Sequence, residues 1–248
     1  IYEPHQAEET ISYLIVGKQK ALLFDTGMGI SDIRKLVTQR TKLPVIVLNS
    51  HTHNDHVGGN WQFDTVYSMD TDFSRQNAKG SSAAAQEEIA AGQICGNLPQ
   101  FFNGRDYRTQ PWTISRYIHD GETLDLGGRA IEVLSTPGHT PDAISLFDRA
   151  NALLFTGDTY YPAPIWLFRP ETDLDSYAKS IARLAALAPQ VKIVLGAHNI
   201  PVAPPSVLPG LVDAFADLRA GKANCRPADS GKQFCAVRGF TFLLRAAP

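Results

Sequence analysis

The sequence is short of long apolar runs, of excess charge and of cysteine. Its longest apolar stretches are runs such as ISYLIV and VIVL, far from the roughly 18 to 20 residues that a membrane-spanning helix requires, so no membrane partner is expected. The formal net charge is -2 and the basic residues are scattered. Their nearest approach to a cluster is Arg105, Arg108 and Arg116, which promises neither a nucleic-acid groove nor a polymeric anionic substrate. Of the three cysteines, Cys95 stands in no nucleophile motif and reads as a lone buried or partly buried thiol. Cys225 and Cys235 lie ten residues apart in the polar stretch CRPADSGKQFC. That spacing either closes a small disulfide loop contributing about 2 to 3 kcal/mol or leaves two unpaired thiols. The chain opens at Ile1 rather than methionine. Together with a disulfide, that opening favours a secreted or periplasmic protein.

What is present is enough for a core. With 248 residues and 44% hydrophobic content, one domain over residues 1–248 is the expectation. Apolar β-type runs occur at residues 11–16, 21–25 and 45–49. Between the last two, Ile33, Leu36 and Val37 share one helical face after a Ser31 or Asp32 cap. A similar order returns at residues 130–134, 143–147 and 152–156. It continues with a helix starting near Asp173, with Leu174, Tyr177, Ile181, Leu184 and Leu187 on its buried side, and a strand at 192–195. A last helix is expected from Ser206 to Ala220, stopped by Gly221. Two such halves suggest an α/β protein of two sheets packed face to face with helices outside, although they share too little sequence to be a repeat. Between them, at about 68–115, the β pattern gives way to SSAAAQEEIAAG, a helical stretch, and to the loop LPQFFNGRDYRTQPW. This insertion either packs Phe101, Phe102, Tyr107 and Trp112 for stability or covers a pocket.

The chemistry is concentrated in SHTHNDHVGG, residues 50–59. On a helix, His51, His53, Asp55 and His56 would fan around much of the circumference, and on a strand His56 would face away from the other three. A loop leaving the strand at 45–49 can converge them. Imidazole and carboxylate donors suit zinc, and also iron or manganese, while a loop without cysteine lacks the usual mark of a closed structural zinc site. An open, catalytic metal is expected. Further donors follow other strands: His139 in STPGHTPD, Asp158 in FTGDTYY and His198 in LGAHN. His5 and His119 are left over and read as surface residues.

HTHNDH, TPGHT, FTGD and GAHN, in this order and with an early DTG at residues 25–27, resemble the metallo-β-lactamase superfamily. The resemblance spans roughly residues 10–200. It implies a four-layer αββα sandwich, with the helical insertion between its halves. It also implies a first metal on His51, His53 and His139, a second on Asp55, His56 and His198, and Asp158 bridging both. Two zinc ions are expected, with iron or manganese possible in one site. Two such metals share a water and lower its pKa towards neutrality while one polarises the substrate. The expected reaction is therefore hydrolysis of a small carbonyl substrate, an ester, lactone or thioester, by metal-bridged hydroxide. The resemblance also makes Asp55 the residue that orients the hydroxide and accepts its proton.

Tyr161 resembles the tyrosine that assists ring opening in acyl-homoserine-lactone hydrolases of this superfamily. Packing in an aromatic loop that continues through Trp166 and Phe168 is its other role. HTHNDHVGGN and FTGDT also resemble hydroxyacylglutathione hydrolases, but YYPAPIW then departs from them, which lowers glutathione thioesters in rank. β-Lactam hydrolysis is an alternative, set back by Asp158 where zinc β-lactamases carry cysteine or serine. Phosphodiester and RNA cleavage fits the net charge poorly. In another class, a persulfide dioxygenase would use one iron and leave Asp55 and His56 without metal roles. A flavin di-iron reductase would need glutamate in place of His53, and a non-catalytic metal-binding protein would hydrolyse nothing. The oligomeric state is not legible.

Overall fold

A computed structural model describes residues 1–3 and 5–246. The chain divides into two compact units, Ile1–Ile131 and Glu132–Pro248, and both are of the expected α/β class.

The first unit is built on β1 (Tyr13–Val16), β2 (Ala21–Phe24), β3 (Val45–Leu48), β4 (Val66–Met69) and β5 (Arg116–Ile118), hydrogen-bonded in that order. The β1/β2 pair is antiparallel and the remaining pairs are parallel. Strands of a parallel sheet are covered on both faces and read as continuous apolar runs. Accordingly every residue of ALLF in β2 is buried. Helix α1 (Ile33–Arg40) lies between β2 and β3, with the Asp32 side chain accepting from the Lys35 N–H at its start. Ile33 and Val37 are buried with Leu23, Val47 and Val66. Leu36 is 43% exposed, because a single turn of contact buries only the Ile33/Val37 stripe.

SHTHND is not loop throughout. After His51 and an extended His53, a one-turn helix α2 (Asn54–Val57) begins, so Asp55 and His56 sit on adjacent helical positions about 100° apart. In the insertion, α3 (Asp72–Asn77) and α4 (Ala83–Glu88) form, the second within the expected Ala-rich stretch. Tyr107 and Trp112 are buried, whereas Phe101 is 76% exposed. Cys95 is exposed, contrary to expectation. Strand β6 (Thr123–Asp125) closes this unit.

The second unit begins within β7 (Ala130–Ser135), which β8 (Ile144–Asp148) and β9 (Leu153–Gly157) follow in antiparallel succession. Strand β11 (Ile193–Gly196) runs parallel to β9. Helix α5 (Leu174–Leu187) starts at Asp173, whose Oδ1 accepts from the N–H groups of Asp175 and Ser176. It buries Tyr177, Ser180, Ile181 and Leu184 rather than Leu174, which is 37% exposed at the first turn. With α6 (Val207–Arg219), flanked by Ser206 and Ala220, Tyr177, Ile181 and Leu184 join an apolar cluster that includes Phe215 and Phe242. Each such residue contributes about 1.5 to 3 kcal/mol of burial.

The stretch after α6 is a second sheet rather than a loose polar tail. Strands β10 (Ile165–Leu167), β14 (Phe240–Arg245), β13 (Lys232–Val237) and β12 (Asn224–Ala228) hydrogen-bond in that spatial order. Strands β10 and β14 are parallel. Cys225 and Cys235 face each other across the β12/β13 hairpin and are joined by a disulfide.

Candidate metal centre

In the first unit the donors follow β3. Backbone and side chains of neighbouring loops hold them: the His56 carbonyl accepts from Thr26 N–H and from Asn49 Nδ2. Asn77 Nδ2 and Thr109 Oγ1, both from the insertion, reach Thr52 O and Asn54 Oδ1. The insertion therefore braces this turn. Gly29 and Gly58 are in backbone contact, and a Cβ on Gly58 would lie 2.1 Å from Met28 O. No other residue fits there.

His51, Asp55 and His56 are buried and His53 is half-buried. His51 Nε2 lies 3.0 Å from His53 Nδ1, and His56 Nε2 lies 3.1 Å from Asp55 Oδ2. Thr10 Oγ1 donates to the same Asp55 oxygen at 3.2 Å. Behind His56, Asp25 accepts the Ser50 N–H on Oδ1 at 2.7 Å and faces His56 Nδ1 with Oδ2 at 3.0 Å. A carboxylate only accepts, so Nδ1 carries the ring proton. In the neutral ring Nε2 then presents its lone pair to the Asp55 carboxylate.

The second unit repeats this logic. His139 Nδ1 lies 2.8 Å from Trp166 O, an acceptor, which again leaves Nε2 as the lone-pair nitrogen, 3.6 Å from Asp158 Oδ2. His198 Nε2 lies 3.0 and 3.1 Å from the two Asp158 oxygens. All three residues are at most 6% exposed. The loops of His139 and Asp158 are fastened to α5 and the turn before it: Thr172 Oγ1 donates to His139 O, Ser180 Oγ to Pro137 O and Tyr177 Oη to Thr159 O. Gly138 has φ of +143° and packs on Tyr177, whose Cα would be 2.4 Å from a Cβ there.

Lone pair facing lone pair is repulsive unless a proton or a cation lies between. Two ligands held about 2.0 to 2.1 Å from one zinc at the tetrahedral angle are about 3.3 Å apart. The four donor pairs, at 3.0 to 3.6 Å, match that spacing, so the residues present fit a divalent ion.

Tyr161 is 4% exposed and its ring meets His198 edge-on, with centroids 4.8 Å apart. Its Oη accepts the Trp166 N–H at 3.2 Å. A Cβ on Gly196 would lie 2.9 Å from Tyr161 Cβ, so the glycine of LGAHN admits this approach. His5 and His119 are exposed. Sequence reasoning missed Asp25 as the partner of His56, although DTG was visible, and missed Thr10, Trp166 and Glu3. Glu3 accepts the Met28 N–H at 2.9 Å. Burial pushes its carboxyl up to about 7.

The sequence profile of the metallo-β-lactamase superfamily matches residues 8–198. Acyl-coenzyme A thioesterase MBLAC2 of Homo sapiens is 24% identical over 200 residues, covering 75% of this chain and 71% of that protein. A hydroxyacylglutathione hydrolase of Pseudomonas putida is 28% identical over 155 residues, 62% of this chain and 47% of the relative. Among solved structures, the B3 metallo-β-lactamase BLEG-1 matches with a TM-score of 0.62 at 22% identity, over 83% of this chain and 94% of its own. That likeness shows the fold. The chain is a hydrolase belonging to the metallo-β-lactamase superfamily.

Proposed function

We propose that the chain is a dinuclear zinc hydrolase of a small carbonyl substrate, with acyl thioesters first, then esters and lactones. The reading is carried by the spacing of the paired donors, supported by the tautomers that Asp25 and Trp166 impose. His51, His53 and His139 would hold one ion and Asp55, His56 and His198 the other, with the Asp158 carboxylate available to both. The thioesterase and hydroxyacylglutathione hydrolase relatives support the thioester. The disulfide supports an oxidising compartment, periplasmic or extracellular.

Divalent ions so held would polarise the carbonyl and bring the pKa of a water near neutral. Asp55 accepts the proton of the attacking water, with the Thr10 hydroxyl on Oδ2 keeping that carboxylate in orientation. Asp25 and Trp166 keep His56 and His139 in the Nδ1–H form. Tyr161, its Oη already accepting from the Trp166 N–H, donates its hydroxyl proton towards the oxygen or sulfur on which charge develops.

The test is elemental analysis of metal per chain on protein purified without added metal, run beside thioester, lactone, aryl ester and cephalosporin substrates. Close to two equivalents of zinc with thioester or ester turnover is the expected result. A single iron without hydrolysis would overturn the reading.

A further inference from the structure

Strand β10 alternates. Ile165 and Leu167 are buried in the core of the second unit, so Trp166 and Phe168 point the other way. They form a half-buried ledge with ring centroids 5.3 Å apart. Cations gather at its Phe168 end. Lys232 Nζ lies 4.3 Å and Arg169 Cζ 5.4 Å from the Phe168 ring centroid, and Arg245 Nε donates to Phe168 O at 2.7 Å. Lys232 and Arg245 are also direct cross-strand partners on β13 and β14, and like charges so placed repel. Elsewhere in this unit Arg149, Arg219, Lys222 and Arg238 are held in ion pairs with carboxylates. Among the described residues, Lys232 and Arg245 have no carboxylate partner.

At the other end of the ledge, the Trp166 carbonyl fixes His139. The residue that carries the inner ring of this ledge thus also supplies the main-chain partner of a proposed metal ligand, and the Phe168 end of the ledge is a corner of positive charge on a protein of net charge -2. The Arg245 guanidinium is anchored through Nε, which leaves its two terminal nitrogens as the fork that matches a phosphate, with the Lys232 ammonium beside it.

We propose that Lys232 and Arg245 bind a phosphate group carried on the leaving-group side of an acyl thioester or ester, with Trp166 and Phe168 supporting the stretch between phosphate and carbonyl. The proposal rests on the hydrolase reading above and names its substrate class. Phosphate is favoured over carboxylate because a guanidinium fork and an ammonium stand side by side as cross-strand neighbours, each without a carboxylate partner among the described residues.

The experiment compares the metal-loaded enzyme with its Lys232→Gln/Arg245→Gln variant on three butyryl thioesters: of coenzyme A, of glutathione and of N-acetylcysteamine, which carries no anion. Binding of adenosine 3′,5′-bisphosphate is measured by calorimetry on both proteins. The variant should raise KM for the coenzyme A thioester by about tenfold or more at unchanged kcat, leave the N-acetylcysteamine thioester unaffected, and lose bisphosphate affinity. If the glutathione thioester alone responds, or if wild type and variant bind the bisphosphate equally, the phosphate site is wrong. If no thioester is hydrolysed, the thioesterase reading fails, while the bisphosphate titration still decides the anion corner.

Discussion

Replacing Asp25 with asparagine is the sharpest probe of the metal centre, because it changes one atom behind a ligand and none in contact with an ion. Asp25 accepts Ser50 N–H through Oδ1 at 2.7 Å and faces His56 Nδ1 through Oδ2 at 3.0 Å. Asparagine can keep the first bond, but it puts an NH2 donor where the second acceptor was. Two donors would then face each other, and the imidazole relieves the clash by shifting its proton to Nε2. That nitrogen, 3.1 Å from Asp55 Oδ2, then has no lone pair for a metal. Loss of such an outer partner costs about 10- to 100-fold in metal affinity, or about 1.4 to 2.7 kcal/mol. The backbone adds little to this. Asp25 sits at φ of +67°, a conformation asparagine tolerates as well as aspartate does. Competition titration with a chromophoric zinc chelator should therefore show one of two equivalents weakened by that factor and the other unchanged. If both equivalents bind as tightly as in the wild type, the tautomer does not control His56 and the second metal assignment is wrong.

Other perturbations separate the remaining roles. Tyr161→Phe should lower kcat by about 10²-fold with KM little changed if the phenol stabilises developing charge; an unaltered rate at full metal content would return it to packing. Converting Cys225 and Cys235 to serine should cost about 2 to 3 kcal/mol of stability, the value of a short closed loop, seen as a lower urea midpoint that reductant no longer changes. Glu3 titrates high in the folded protein, up to about 7 against a reference of 4.5. Its contribution to the stability of the metal-free protein is present below the reference value and lost as pH rises through about 7. Glu3→Gln should flatten that decline between about pH 5 and about pH 8, and matching urea midpoints for the two proteins across that range would contradict the burial of this carboxyl.

The placement of the candidate donors was legible because their residue types are rare and each follows an apolar run that became a strand, within one or two residues of its expected ends. The capped starts of α1 and α5 were legible for a similar reason: Asp32 and Asp173 are local signals. Long-range pairing was not. CRPADSGKQFC reads as a polar loop because β12 is an exposed edge strand with no alternating apolar face, and what makes it a strand is a neighbour ten residues away. Leu36 and Leu174 have the right helical phase to be buried, but phase does not say how wide the covered stripe is. The Trp166 carbonyl is invisible to any reading of side chains, since its role lies in the main chain.

The main chain of that one residue has a consequence for how the protein comes into being. The Trp166 N–H reaches Tyr161 and its carbonyl reaches His139, and the strand carrying it is ordered by pairing with residues 240–245. During translation, every proposed metal ligand leaves the ribosome before those residues do. A nascent chain exposed to zinc at that stage would meet a His139 whose ring is not yet oriented, so full metallation should wait until synthesis has passed residue 245 and the strand has docked.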